Sequence, residues 1–182
     1  MRPLADIDEP AWLLDGARRD AQSMTKDWVR QGQELLHGVV LKDVLPVVTG
    51  YGHLTEVLRG EWLGSNRKVD QVFVTTMLPG AVSAWHAHSE TTDRLFVAAG
   101  FLRVVLYDNR DNSPSKGRIN EFRLAPMRPA LVVIPPRVWH GVQNMGAEPA
   151  ILINAVDHAY RYEDPDHWRV PPDSPNVPFA FS

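Results

Sequence analysis

The chain has 182 residues, no cysteine, and 19 Lys and Arg against 22 Asp and Glu, for a net charge of −3. That length suits one domain with a real core. The near-even charge excludes the clustered basic excess of a nucleic-acid binder. Without cysteine, disulfides and thiolate ligands are excluded, and any bound metal must be held by His, carboxylate or amide groups. No apolar run approaches the ~18 residues of a membrane span, and the opening "MRPLADIDEP" lacks an apolar signal core, so a cytoplasmic protein without membrane contact is expected.

From Glu9 to about Leu36 the residues are helix formers, with Trp12, Leu13, Trp28 and Leu35 as apolar positions, and a helical extension is predicted over residues 1–50. Residues 51–182 then read as β-structure. "HLTEVLR", "QVFVTTML", "AVSAWHAH", "RLFVAAG", "FLRVVLYD", "INEFRLA", "ALVVIPP", "VWHGVQN" and "AILINAV" are short β-rich pieces, broken by turn clusters such as "LPG", "DNRDNSPSKG" and "MGAEP". Many short strands without intervening helices predict an all-β sandwich or small barrel. The proline-rich, aromatic end "YRYEDPDHWRVPPDSPNVPFAFS" is expected to be ordered and packed on that barrel.

Strand alternation places Val82, Ala84, His86 and His88 on one face and Trp85 and Ala87 on the other. Small residues beneath the two histidines leave room for a ligand. A second element, "IPPRVWHGVQN", carries His140 on a face with Val138, Val142 and Asn144. Three histidines and Asp93 supply donors that hold a divalent ion at about 2.0–2.2 Å, with positions left open for water or substrate.

These residues resemble the two signature motifs of the cupin superfamily. One runs from Gly80 through His86, His88 and Asp93 to Gly100, and the other from Pro135 through His140 to Asn144. The acid is usually glutamate and here is Asp93, and Arg137 stands where glycine is usual. The resemblance implies a jelly-roll, or double-stranded β-helix, barrel. Over about residues 53–178 the chain is also similar to the dTDP-4-dehydrorhamnose 3,5-epimerase family, through "HLTEVLRGEW", "YDNRDNSPSKG" and "VIPPRVWHGV". That likeness implies a homodimer, with the region near Leu54–Trp62 at the interface, and gives His86 the position of the family's base. The family's lysine falls at Asp93, its arginine at Ser83, its acid tyrosine at Ile153 and a glutamine at His88. Cations and a proton donor have thus given way to a carboxylate and a histidine, which are metal-ligand types, and unaltered 3,5-epimerisation is not expected.

The resulting expectation is a metal-binding cupin with His86, His88, Asp93 and His140 as ligands to Zn, Fe, Mn or Ni. It acts as an isomerase or epimerase of a carbonyl-bearing, carbohydrate-like small molecule, the ion polarising the carbonyl. His86, His158 and Asp164 are the candidate proton-transfer groups, and Glu163 and His167 offer further bases. An iron or manganese dioxygenase and a non-catalytic ligand-binding barrel are the alternatives. An apolar lining is expected from Val82, Val138 and Val142. Plainer readings cover the rest: Asp108 and Arg110 pair within a hairpin connection, Trp85 and Trp139 pack behind the histidines, and His37 and His53 are structural or exposed.

Overall fold

The computed structural model describes residues 12–27, 31–63 and 68–181. The chain divides into two units, residues 1–33 and 34–182. In the first, the expected helix is corrected: residues 12–27 and 31–33 form turns and irregular chain, with Gly16 turning at φ +81°. Residues 34–39 are non-helical as well. The apolar positions explain this. Trp12, Leu13 and Leu35 do not recur at helical spacing, so no apolar stripe repays the cost of nucleating a helix. Trp28 and Glu9 lie outside the described residues. A single 3-10 turn at Gly60–Leu63 is the one helical element among the described residues, and none of their helices is long and apolar enough to cross a membrane.

The second unit is almost wholly β. Its strands are β1 (Val40–Asp43), β2 (Val47–Thr49), β3 (Gly52–Leu54), β4 (Gln71–Met77), β5 (Val82–Ala87), β6 (Asp93–Ala99), β7 (Leu102–Tyr107), β8 (Ile119–Leu124), β9 (Ala130–Ile134), β10 (Trp139–Asn144), β11 (Ala150–Val156) and β12 (Trp168–Arg169). Two five-stranded antiparallel sheets, in the orders β1-β9-β6-β11-β4 and β12-β5-β10-β7-β8, enclose the main core, and β2 and β3 form a separate hairpin. Alternation along the strands sends Leu95, Val97, Val104, Leu106, Val132 and Leu152 inward. Leu36 joins them at 1% exposure, and its N–H donates to Asn120 Oδ1 at 2.8 Å. The end of the segment read as helix, from residue 34 on, therefore belongs to the barrel unit as non-helical chain.

A second apolar cluster lies on the other face of the second sheet. Trp85 at 0% exposure packs with Val105, Val177, Phe179 and Phe181, its ring 5.1 Å from Phe181 and 6.1 Å from Phe179. This is the expected packing of the aromatic end on the barrel. Gly141 makes it possible, since a Cβ there would sit 2.7 Å from the Phe181 ring and 2.5 Å from Ala84 Cβ.

Asp108 pairs with Arg110 as expected, but it does more than close a hairpin. Its wholly buried carboxylate accepts from Arg110 Nε at 2.9 Å and from the hydroxyls of Ser113 and Ser115. Ser115 Oγ in turn accepts the His37 N–H, and Arg110 reaches the His37 carbonyl. Burial alone favours the neutral acid, but the bonds from Arg110, Ser113 and Ser115 outweigh it and hold the carboxyl well below the usual range. A carboxyl depressed in the fold, against ~3.9 when unfolded, contributes stability that is complete above about pH 4 and lost as pH falls toward the folded value. The melting temperature of the wild type is therefore expected to drop steeply between about pH 4 and 2.5, and that of Asp108→Asn less steeply. Equal slopes in calorimetry at matched salt would remove Asp108 from the acid limb.

Candidate active site

Between the two sheets a cavity of about 930 Å³ opens, walled by β4, β5, β6, β10 and β11 and by the C-terminal segment from His158 to Arg169. The two histidine motifs meet in its floor because β5 and β10 are hydrogen-bonded neighbours, with His86 opposite His140 in the register. β6 begins at Asp93 and brings the carboxylate beneath them.

His88, Asp93 and His140 each offer one donor atom, all within 4.8 Å of one another. His88 Nε2 lies 3.4 Å and His140 Nε2 3.6 Å from Asp93 Oδ2. The other Asp93 oxygen accepts Asn154 Nδ2 at 2.7 Å. Both ring orientations follow from backbone carbonyls, which can only accept: Val138 O lies 3.1 Å from His140 Nδ1, and Asp166 O faces His88 Nδ1 at close range. Each Nδ1 therefore carries a hydrogen, and each Nε2 is the atom turned toward Asp93. Burial pushes the His140 pKa down, with Asp93 and the Val138 carbonyl partly offsetting it. Two ring nitrogens and a carboxylate oxygen that converge in this way are of the donor types that hold a divalent cation. The two distances to Asp93, 3.4 and 3.6 Å, are at or just beyond the roughly 3.0–3.4 Å that bonds of about 2.1 Å set between neighbouring ligands in tetrahedral or octahedral geometry.

His86 stands outside that three-donor group. Its ring meets His140 edge-on at 4.4 Å and His167 at 5.3 Å, and its buried Nδ1 has no hydrogen-bond partner among the described residues. Burial, then His140, His167, His88 and Arg169, drive its pKa far below the ordinary histidine value. His167 reaches the same cluster from the C-terminal segment, 4.9 Å from the His88 ring, with its own Nε2 buried and unpartnered among the described residues. Burial and the Arg169 charge push its pKa down to about 4. Burial therefore favours the neutral form of both rings, and of His86 the more strongly.

Other expected residues lie elsewhere. His158 lines the rim, its side chain 48% exposed and 3.1 Å from Asp157. The Asp164 side chain is 91% exposed and is not part of the cavity wall. The predicted faces of β5 are corrected: Ser83 lines the cavity, while Ala84 packs behind the sheet with Trp85. The cause is a register shift between His140 and Val142, which breaks the two-residue alternation. Apolar lining comes from Phe73, Val74, Leu95, Leu152 and Val156 as well as the expected Val142, without Val82 or Val138. Ile153 does not face the cavity, whereas its neighbours Leu152 and Asn154 do.

Sequence reading did not find Arg161, Arg169 or Asp166, which line the cavity from the C-terminal segment. No local pattern ties Asp166 and Arg169 to β5 and its loop, because their partners there lie about eighty positions away. Tyr160 is a cavity residue too.

No protein-family model matches the chain. It is 34% identical over 139 residues to the probable low-salt glycan biosynthesis epimerase Agl13 of Haloferax volcanii, covering 76% of this chain and 89% of the relative. It is 28% identical over 148 residues to the spore coat polysaccharide biosynthesis protein SpsL of Bacillus subtilis, covering 81% and 97%. Among solved structures, a dTDP sugar isomerase from Desulfovibrio desulfuricans superposes with a TM-score of 0.72 at 33% identity, covering 81% of this chain and 94% of that one. The 3'-monoepimerase ChmJ of Streptomyces bikiniensis, at 18% identity and a TM-score of 0.73 over 84% and 78% of the two chains, shares the fold.

Proposed function

The chain belongs to the dTDP-sugar epimerase and isomerase family of cupin-type barrels, and we propose that it epimerises or isomerises a keto sugar carried on a nucleotide, with a divalent metal ion in its site. The single observation that carries the metal is the convergence of His88 Nε2, His140 Nε2 and Asp93 Oδ2 at 3.4 and 3.6 Å, with each Nδ1 tied to a carbonyl. Such an ion, of the Zn, Fe, Mn or Ni class, supplies Lewis acidity toward a substrate carbonyl.

The protein's own groups do the rest. His86 and His167 are neutral imidazoles on the same wall, placed to take a proton from the carbon beside the ketone, and His167, the less depressed of the two, is the stronger base. These rings fill the role better than His158 at the rim or the exposed Asp164. Tyr160 is a cavity phenol able to return a proton from another side. Arg161 and Arg169 offer cations to the diphosphate of a nucleotide, replacing those that Ser83 and Asp93 do not supply. The apolar residues of β4 and β11 suit the ring face and exclude water.

The test is solvent deuterium uptake, followed by NMR, into a panel of keto sugar nucleotides that includes dTDP-4-dehydro-6-deoxyglucose. Uptake beside a ketone is expected with at least one of them. It should be lost with a chelator, restored by one divalent metal, and reduced about 10²–10⁴-fold in His86→Asn or His167→Asn. Uptake that ignores the chelator would overturn the metal, and dioxygen consumption by an iron-loaded protein would turn the assignment to a dioxygenase. The 3,5-epimerised product of dTDP-4-dehydro-6-deoxyglucose is not expected, because β11 offers the cavity Leu152, Asn154 and Val156 and no phenol.

A homodimer is part of the same reading. β4 is an open edge of the first sheet, with Val72 at 57% and Val74 at 68% exposure. The β2–β3 hairpin adds exposed Val48 and Leu54. An apolar open edge invites pairing unless something covers it, and a second copy would cover this one. Light scattering at micromolar concentration should give twice the chain mass; a monomer would sink the expectation.

A further inference from the structure

The loop between β5 and β6 carries His88 at one end and Asp93 at the other, and it is gripped from both sides by residues distant in sequence. On one side stands Arg137, a non-glycine residue with φ 66°. Its N–H donates to His88 O at 2.6 Å and its Nε to Ser89 O at 3.3 Å. A left-handed arginine costs roughly 1 kcal/mol, so surrounding structure must hold it there. On the other side stands Asp166. Its Oδ1 accepts Ser89 N and Ser89 Oγ, both at 2.6 Å. Its Oδ2 accepts Glu90 N at 2.9 Å, Thr91 N at 3.2 Å and Thr91 Oγ1 at 3.1 Å. Its backbone carbonyl accepts His88 Nδ1. One carboxylate thus collects five donors from three consecutive residues, while the same residue fixes the ring that precedes them.

We infer that Asp166 is a positioning residue: by clamping residues 89–91 it holds its own carbonyl against His88 Nδ1, and so sets the tautomer and reach of His88 toward Asp93 and His140. The donor set is then completed by the C-terminal segment, not by the barrel alone. A loop staple of purely structural value would hold the backbone just as well but would leave the ring free to choose its tautomer. What the donors hold rests on the proposed function, whereas the clamp can be read without any ion.

The experiment compares full-length wild type, Asp166→Ala, Ser89→Ala/Thr91→Ala as a milder loosening, and Leu124→Ala as a control destabilised away from the site. Long-range ¹H–¹⁵N correlation of the histidine rings in metal-free protein is expected to give His88 as a single Nδ1–H tautomer in the wild type and in Leu124→Ala. Mixed tautomers are expected in Asp166→Ala, with the double variant in between. Titration with Zn²⁺ is expected to weaken about 10–100-fold in Asp166→Ala, the usual effect of losing an outer partner of a ligating histidine, and not in Leu124→Ala. An unchanged His88 tautomer in Asp166→Ala overturns the clamp, as does the same mixture in Leu124→Ala. If Asp166→Ala does not fold, the double variant decides by the same two readings. A wild type with the single tautomer but no Zn²⁺ binding would overturn the metal assignment and leave the clamp standing.

Discussion

His88→Ala is expected to lose stoichiometric divalent metal while the barrel stays folded. Removing one of three donors leaves Asp93 and His140, a pair too few to hold an ion against water in a site built for at least three protein ligands. The fold should tolerate the change because His88 lies just past the end of β5, and its backbone carbonyl can still accept from Arg137. The strand keeps its pairing to β10 and β12 through His86 and Ala87. Elemental analysis of protein purified without added metal, beside a thermal melt by circular dichroism, checks both halves. His86→Ala makes the sharper comparison. His86 lies outside the group of donors within 4.8 Å, so this variant is expected to keep its metal and lose proton exchange. Full occupancy in His88→Ala would sink the three-donor assignment, and loss of metal in His86→Ala would make His86 a ligand after all.

Trp85→Ala should be among the most destabilising single changes in the chain. The side chain is wholly buried and packs against two aromatic rings of the C-terminal segment, and truncating a core tryptophan costs about 3–5 kcal/mol in transfer and cavity terms. For a chain of this size that lowers the melting temperature by roughly 6–20 °C. Loss of the ring also removes what Phe179 and Phe181 pack on, so proteolysis of the segment beyond Arg169 should quicken. Trp85→Phe is expected to cost much less. It keeps an aromatic body and removes the indole Nε1, which is buried without a hydrogen-bond partner among the described residues. Equal losses in the two variants, or a melting temperature within 2–3 °C of wild type for Trp85→Ala (about 1 kcal/mol at this size), would count against this account.

Short apolar runs closed by glycine or proline, such as "RLFVAAG" and "ALVVIPP", made the β class legible, because their length and branched residues suit buried strands better than helices. The histidine pairings were legible for a related reason. The spacing in "WHAHSETTD" places two rings and a carboxylate near one strand end, and "PPRVWHGV" brings the third histidine from a neighbouring strand. The helical reading failed over the described residues 12–27 and 31–36 because it rested on composition. Helix formers without a repeating apolar stripe have nothing to bury, and Leu36 found its burial in the barrel instead. The faces of β5 failed because alternation assumes an unbroken register, and the bulge opposite β10 shifts Ser83 inward and Ala84 outward. Nor could local pattern separate His86 from His88. They stand one residue apart, and only the Asp166 carbonyl, from the C-terminal segment, decides that the His88 ring turns its Nε2 toward Asp93.

The sequence by itself determined a β-rich chain carrying histidines and an acid of metal-ligand type in two short motifs, because strand propensity and donor chemistry are properties of short segments. Tertiary structure alone decided that Asp166 and Arg169 belong to the same site and that His167, of the candidate bases on the C-terminal segment, meets the rings of His86 and His88. Their contacts with β5 and its loop span about eighty residues of chain, and a hydrogen bond between residues that far apart leaves no mark on the pattern of either segment. Closing such a loop costs entropy that only the assembled core repays, so the last wall of the cavity exists only once the barrel it lies on has formed.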